Sequence, residues 1–213
     1  MRGTILVTGF GPFPGAPVNP TQALVKALAR MRHPNIRLVS HIFRTSYAAV
    51  DRDLPALLAR HQPDALLMFG LHGRARTLRL EMLARNARAR VADVDGLMPG
   101  ATITAGGPSC LAMPCPAARL LAALRRGGVP VALSRNAGGY LCNYLCWRAA
   151  QAAQNNGPRL AAFVHVPPIR AKPMPRRNRP GRLQGVNPAG LVRAGANMLT
   201  AMAGCLGSVG NRQ

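Results

Sequence analysis

The chain has 213 residues, 48% of them hydrophobic, and a formal net charge of +22 carried almost entirely by arginine. That length and apolar content suit one globular domain over residues 1–213 with a full core, and no apolar run reaches the roughly 18 residues that a bilayer span requires. Five cysteines (Cys110, Cys115, Cys142, Cys146 and Cys205) with neither a CxxC pair nor a secretory leader argue against a disulfide framework and a zinc site, so the expectation is a cytoplasmic protein without metal or membrane attachment.

Ile5-Leu6-Val7 reads as a buried strand, because it runs straight into the turn-rich segment Gly9-Phe10-Gly11-Pro12-Phe13-Pro14-Gly15 instead of a cleavage site. Asn19 as N-cap and Pro20 at the first helical position start a helix, with Ala23, Leu24, Leu28 and Met31 as its apolar stripe. A strand follows over Ile36–Ile42 and a helix over Tyr47–Arg60. Ala65-Leu66-Leu67-Met68-Phe69 is a continuous apolar strand, then come a loop over Gly70–Arg74 and a strand over Leu78–Leu83. Asp93–Pro114 is rich in Gly and Pro and reads as irregular; loops of that length are usually functional. A helix over Ala117–Leu124, a strand over Val129–Leu133, a helix over Leu141–Ala153 and a strand over Leu160–Val164 complete the alternation. A Pro/Arg-rich loop over about 170–185 precedes a last helix over Ala189–Met202. Strands alternating with helices predict an α/β fold: a mostly parallel sheet covered on both faces. Ligands bind such sheets outside the carboxyl ends of the strands. If the strands are parallel, the loops after Val7, Phe69 and Leu133 and the end of Phe163-Val164 share that edge.

The charge admits nucleic-acid or other polyanion binding. The arginines are nevertheless scattered, and the few aromatics do not interleave with them as base stacking would require. Non-specific binding of polyanions remains an expectation.

Three residues carry the chemistry. Cys142 falls in the first turn of a helix, where backbone N–H groups and the helix dipole favour a thiolate. His165 closes an apolar strand. Glu81, the one glutamate in the chain, stands among apolar neighbours. A thiol, an imidazole and a carboxylate at such positions are the parts of a cysteine hydrolase. Blander readings stand beside them: a structural buried Cys142, a strand-terminal His165 with His72 as rival base, and an edge Glu81 paired with arginine. Phe10 and Phe13 are either walls of an aromatic slot or core residues sealing a loop. Cys142 and Cys146, four apart, read as thiols on a packed helix face.

These segments together resemble the pyroglutamyl-peptidase I (pyrrolidone-carboxylate peptidase) family of cysteine peptidases. The matching pieces are Val7-Thr8-Gly9-Phe10-Gly11-Pro12-Phe13 with Asn19-Pro20, Glu81 with Ala84 and Asn86, Ser134, Ala137-Gly138, Cys142-Asn143 and His165-Val166-Pro167. The resemblance implies a three-layer α/β/α sandwich with a mixed, mostly parallel sheet, no cofactor and, in many members, a homotetramer. It implies Cys142 as nucleophile, His165 as base and Glu81 as the group orienting it. Phe10, Phe13, Asn19, Thr45 and Val91 would form the substrate pocket. Arg90 and the Leu141 backbone would stand near the oxyanion. The implied activity is removal of N-terminal pyroglutamate from peptides. A polyanion-binding protein on the same fold and a hydrolase of another small cyclic amide are the alternatives.

Overall fold

The apolar runs form the central strands, and the faces of those strands set the layers. In the computed structural model, which describes residues 3–169 and 186–209, the elements are β1 (Gly3–Phe10), α1 (Pro20–Arg30), β2 (Ile36–Phe43), α2 (Tyr47–His61), β3 (Ala65–Leu71), β4 (Leu78–Glu81), β5 (Leu83–Arg85), β6 (Cys110–Ala112), α3 (Ala117–Arg126), β7 (Val131–Ser134), α4 (Leu141–Gln154), β8 (Leu160–Val166) and α5 (Pro188–Val209). The expected 170–185 loop lies outside the described residues.

Six strands form one sheet in the order β2-β1-β3-β8-β4-β7. β1, β2, β3 and β8 are mutually parallel. β4 runs antiparallel to β8, and β7 follows β4. Strand alternation then sorts the side chains. Ile5, Val7, Leu67, Phe69, Ala162 and Val164 face a core shared with α1, α3 and α5. Leu6, Met68, Ala161 and Phe163 face a second core shared with α2 and α4. The result is the expected α/β/α sandwich with a mixed sheet.

Several boundaries differ from the expectations, each for a physical reason. The strand expected to reach Leu83 breaks after Glu81: Met82 donates to the Ser134 carbonyl, and the chain leaves the main sheet to form β5. β5 pairs with β6, a strand inside the stretch expected to be irregular. In α1 the buried stripe is Leu24, Val25 and Leu28, while Ala23 and Met31 are exposed. β7 runs against β8, so its carboxyl end does not share the edge used by β1, β3 and β8. Residues 135–140 carry the chain back to that edge.

α4 is buried on more than the single stripe expected. Asn143, Tyr144, Leu145, Cys146, Trp147, Ala149 and Ala150 are all buried. The β5–β6 pair and the segment between its two strands also pack on α4. Asn143 staples the two: its Oδ1 accepts from Arg85 N at 2.9 Å, and its Nδ2 donates to the Arg85 and Ala87 carbonyls at 2.8 and 3.0 Å. Trp147, the only tryptophan, donates from Nε1 to Thr104 Oγ1 at 3.0 Å. Asn143→Ala leaves the Arg85 and Ala87 backbone groups without these partners and should cost about 2–4 kcal/mol. Urea unfolding followed by Trp147 fluorescence measures that loss; a change under about 0.5 kcal/mol would show that the staple is not holding β5 to α4.

Candidate active site

His165 and Glu81 meet because β4 is antiparallel to β8. Glu81 pairs with Phe163, so His165, two residues further along, projects from the same face at the next position. His165 Nδ1 donates to Glu81 Oε1 at 2.8 Å. Glu81 is 0% exposed and His165 3% exposed. The edge-strand reading of Glu81 therefore fails: β8 and β7 flank it on either side. Its Oε2 has no hydrogen-bond partner among the described residues.

Cys142 reaches the same place from the first turn of α4. In the sheet, Gly70 of β3 pairs with His165. A Cβ at Gly70 would lie 2.6 Å from the Cys142 sulfur and 2.6 Å from Phe163 Cζ. The bare backbone of Gly70 thus seats the sulfur between β3 and α4, beside the imidazole. Burial lowers the proton affinity of His165, but the Cys142 sulfur and Glu81 outweigh it and hold its pKa at about 9. Cys146 is one turn away and fully buried, and burial pushes its thiol well up. Only Cys142 of the two lines the cavity.

That cavity, of about 350 Å³, opens at the carboxyl edge of β1, β3 and β8. Cys142 and His165 form its floor, with Phe10, Phe13, Asn19 and Thr45 toward β1 and β2. Phe10 is buried against Phe43, with ring centroids 5.9 Å apart, so it serves core and cavity together. Phe13 is half-buried and tilts against Tyr140 at 6.4 Å. Asn19 caps α1 by accepting from Thr21 N at 3.1 Å, and its Nδ2 donates to the Gly11 carbonyl at 3.0 Å. Thr45 Oγ1 donates to the same carbonyl at 3.2 Å. Both polar side chains therefore shape the Phe10–Phe13 loop through Gly11.

Leu141 and Cys142 begin α4, whose N-terminus has no side-chain cap and faces the cavity. The preceding loop is pinned from outside. Ala89 N donates to the Gly139 carbonyl at 2.6 Å, Tyr140 Oη donates to the Ala92 carbonyl at 3.2 Å, and Gly138 takes a left-handed φ of +83°. A tight turn, with Val91 N donating to the Ala89 carbonyl at 2.8 Å, leaves Arg90 and Val91 exposed. Val91 is 52% exposed, and neither side chain lines the cavity. Their expected places beside the substrate are thus not where the fold puts them, because Ala89, not its neighbours, docks on the loop before Cys142.

Two further residues belong to this neighbourhood. Arg79 pairs with His165 across β4 and β8. It interacts with His72 Nε2 at 3.2 Å and donates to Ser134 Oγ at 3.1 Å. His72 lines the cavity with its ring 5.3 Å from that of His165. Burial, then the charges of His165 and Arg79, lower its pKa, which favours the neutral ring beside the Arg79 guanidinium. Strand alternation from Glu81 would have placed Arg79 on the face of the site; nothing in the spacing marks Gly70.

Comparison with known proteins agrees with this geometry. The pyroglutamyl peptidase family model matches residues 3–184. The chain is 33% identical over 172 residues to pyrrolidone-carboxylate peptidase 1 of Ralstonia nicotianae, covering 79% of this chain and 80% of that one. It is 31% identical to the pyrrolidone-carboxylate peptidase of Bacillus velezensis over 79% and 80% of the two chains. Among solved structures, the pyrrolidone carboxyl peptidase of Thermococcus litoralis superposes with a TM-score of 0.86 at 25% identity, covering 97% of this chain and 96% of that one. Pyroglutamyl peptidase I of Bacillus amyloliquefaciens gives 0.80 at 28% identity over 95% and 97%. With a buried carboxylate–imidazole pair beside a cavity thiol, and with matches over most of its length, the chain belongs to the pyroglutamyl peptidase family.

Proposed function

We propose that the chain is a cysteine exopeptidase that hydrolyses the amide bond after an N-terminal pyroglutamyl residue, with Cys142, His165 and Glu81 as its catalytic groups. The observation that carries this reading is the Glu81–His165 pair at 2.8 Å, with Cys142 against the same imidazole. With Nδ1 bonded to Glu81, Nε2 is the nitrogen left to take the sulfur's proton. Cys142 Sγ then attacks the carbonyl carbon after the pyroglutamyl ring. The carbonyl oxygen gains charge at the open N-terminus of α4, where the Leu141 and Cys142 N–H groups are available. His165 returns the proton to the leaving amine, and water, deprotonated by His165, releases pyroglutamate from the thioester. The pyroglutamyl ring is flat and uncharged, which suits a slot walled by Phe10 and Phe13 and shaped by Asn19 and Thr45 through Gly11.

The family comparison favours this reading over a polyanion-binding role, although so many arginines suit non-specific polyanion contacts. Among the described residues no helix is long and apolar enough to cross a membrane. We further read the chain as a single domain acting in the cytoplasm as a homo-oligomer. Val91, Leu97 and Met98, each about half exposed, support self-association.

Hydrolysis of a pyroglutamyl-coumarin amide, with the prolyl amide as control, tests the activity; no release from the pyroglutamyl compound would overturn it. Cys142→Ala should lower kcat at least about 10³-fold, and Cys146→Ala should stay within about threefold. The opposite pattern would reassign the nucleophile. Glu81→Gln should reduce kcat by about 10²–10⁴-fold while KM moves little, since the change reaches the imidazole and not the ring slot.

The pH dependence follows from His165. Its folded-state pKa of about 9 lies above the ordinary 6.5. The associated stabilisation is therefore fully present below about 6.5 and is lost as pH rises through about 9. The charge beside Cys142 is lost over the same range. Both kcat/KM and the urea midpoint should fall through about pH 9, and Glu81→Gln should move the alkaline limb to lower pH. An alkaline limb unmoved in that variant would separate it from the His165 pair.

A further inference from the structure

We propose that the leaving-peptide side of the cleft selects pyroglutamyl peptides that carry a carboxylate soon after the scissile bond, and that Arg74 is the residue that binds it. The inference rests on the pyroglutamyl peptidase reading above and extends it from the ring to the rest of the substrate.

The sheet order fixes the direction in which the leaving chain runs. β1 and β2 lie on one side of β3, and β8 and β4 on the other. Phe10 ends β1 and Thr45 follows β2, so the slot for the ring lies on that side. Cys142 sits over Gly70 of β3. His165 stands on β8, and Arg79 beyond it on β4. A general acid that protonates the leaving amine must lie on the amine's side of the nucleophile. The leaving peptide therefore passes over His165, away from the ring slot and toward the β8–β4 side.

That side is positive, with no carboxylate among the described residues free to balance it. The loop after β3 leans over β8, where His72 N donates to the Val166 carbonyl at 2.9 Å. Two residues on, Arg74 lines the cavity, is exposed, and has no hydrogen bond or ion pair among the described residues. Arg79 behind it bonds, among the described residues, to His72 and Ser134. The one carboxylate at the site, Glu81, is bonded to His165. The five aspartates are engaged elsewhere, with Arg148, Arg52, Arg159, Arg44 and, for Asp93, backbone N–H groups. An unpaired guanidinium at a cavity wall offers a planar fork matched to a carboxylate. The surrounding excess charge draws anionic peptides toward it.

The test uses two tripeptide amides that differ in one charge: pyroglutamyl-glutamyl-alanine amide and pyroglutamyl-glutaminyl-alanine amide. The wild-type enzyme should favour the glutamyl peptide about fivefold in kcat/KM at low ionic strength, and the preference should shrink as salt is added. Arg74→Gln should bring the ratio to about one. Arg125→Gln removes the same charge from the last turn of α3, in the opposite helical layer, and should keep the ratio. A wild-type ratio near one, with the neutral coumarin amide still cleaved, would overturn the selectivity and leave the peptidase reading standing. Failure to cleave the coumarin amide would instead overturn the peptidase reading. Equal loss of preference in the Arg74 and Arg125 variants would assign the effect to net charge and remove Arg74 from the role.

Discussion

The arrangement depends on one buried pair, Glu81 with His165. A fully buried carboxylate in the middle of a sheet costs several kcal/mol unless an opposite charge and hydrogen bonds offset it. The His165 ring supplies both, at 2.8 Å. The pairing also explains why β4 must be antiparallel to β8. Antiparallel register sets Glu81 opposite Phe163 and so brings its side chain diagonally onto His165. The same register puts Arg79 directly opposite His165, within reach of His72, whose pKa is lowered by burial first and then by the charges of His165 and Arg79. The reversal of strand direction in the sheet is therefore tied to the chemistry and is not an incidental edge feature.

The second constraint is steric. Cys142 comes from a helix and His165 from a strand, and they meet only because Gly70 lacks a side chain between them. The loop before α4 must also turn back toward the edge after β7 has run the wrong way. Gly138 makes that turn with a positive φ, and Gly139 lets Ala89 dock on the loop, since a Cβ there would lie 2.9 Å from Ala89 N. The β5–β6 pair then holds α4 through Asn143. Three glycines and one asparagine thus position the thiol without touching a substrate.

Sequence reasoning reached those parts whose signal is local. Asn19-Pro20 gave the start of α1 because a cap and an N1 proline are local chemistry. Apolar runs gave β1, β3 and β8. The placement of Glu81 beside His165 rests on a family resemblance, since a separation of 84 positions carries no spacing rule. What stayed illegible was set by tertiary contacts. β6 is a three-residue strand that exists only because β5 pairs with it. The direction of β7 depends on β4 and not on its own sequence. Arg90 and Val91 are placed at the substrate by the family resemblance alone; here Ala89 docks on the loop before Cys142, and its two neighbours turn out to solvent. Met31 was assigned to the apolar stripe of α1 although the helix ends at Arg30, so it cannot share the stripe's face.

Charge divides the cleft where composition alone suggested only a uniformly basic protein. On the β1–β2 side the walls are aromatic, and the polar atoms of Asn19 and Thr45 are already bonded to Gly11. A charged group there would lose its water with little to replace it. On the β8–β4 side, Arg74 and Arg79 present positive charge without a carboxylate to balance it. The dividing point is His165, whose own carboxylate partner is buried beneath it. Glu81 is bonded to the imidazole through Oε1, while the hydrogen bonds of Arg79 among the described residues go to His72 and Ser134. The catalytic base thus stands between an uncharged slot and a leaving-group side on which Arg74 makes no ion pair among the described residues. A neutral ring at one end and an anionic chain at the other are the substrate that such a division fits.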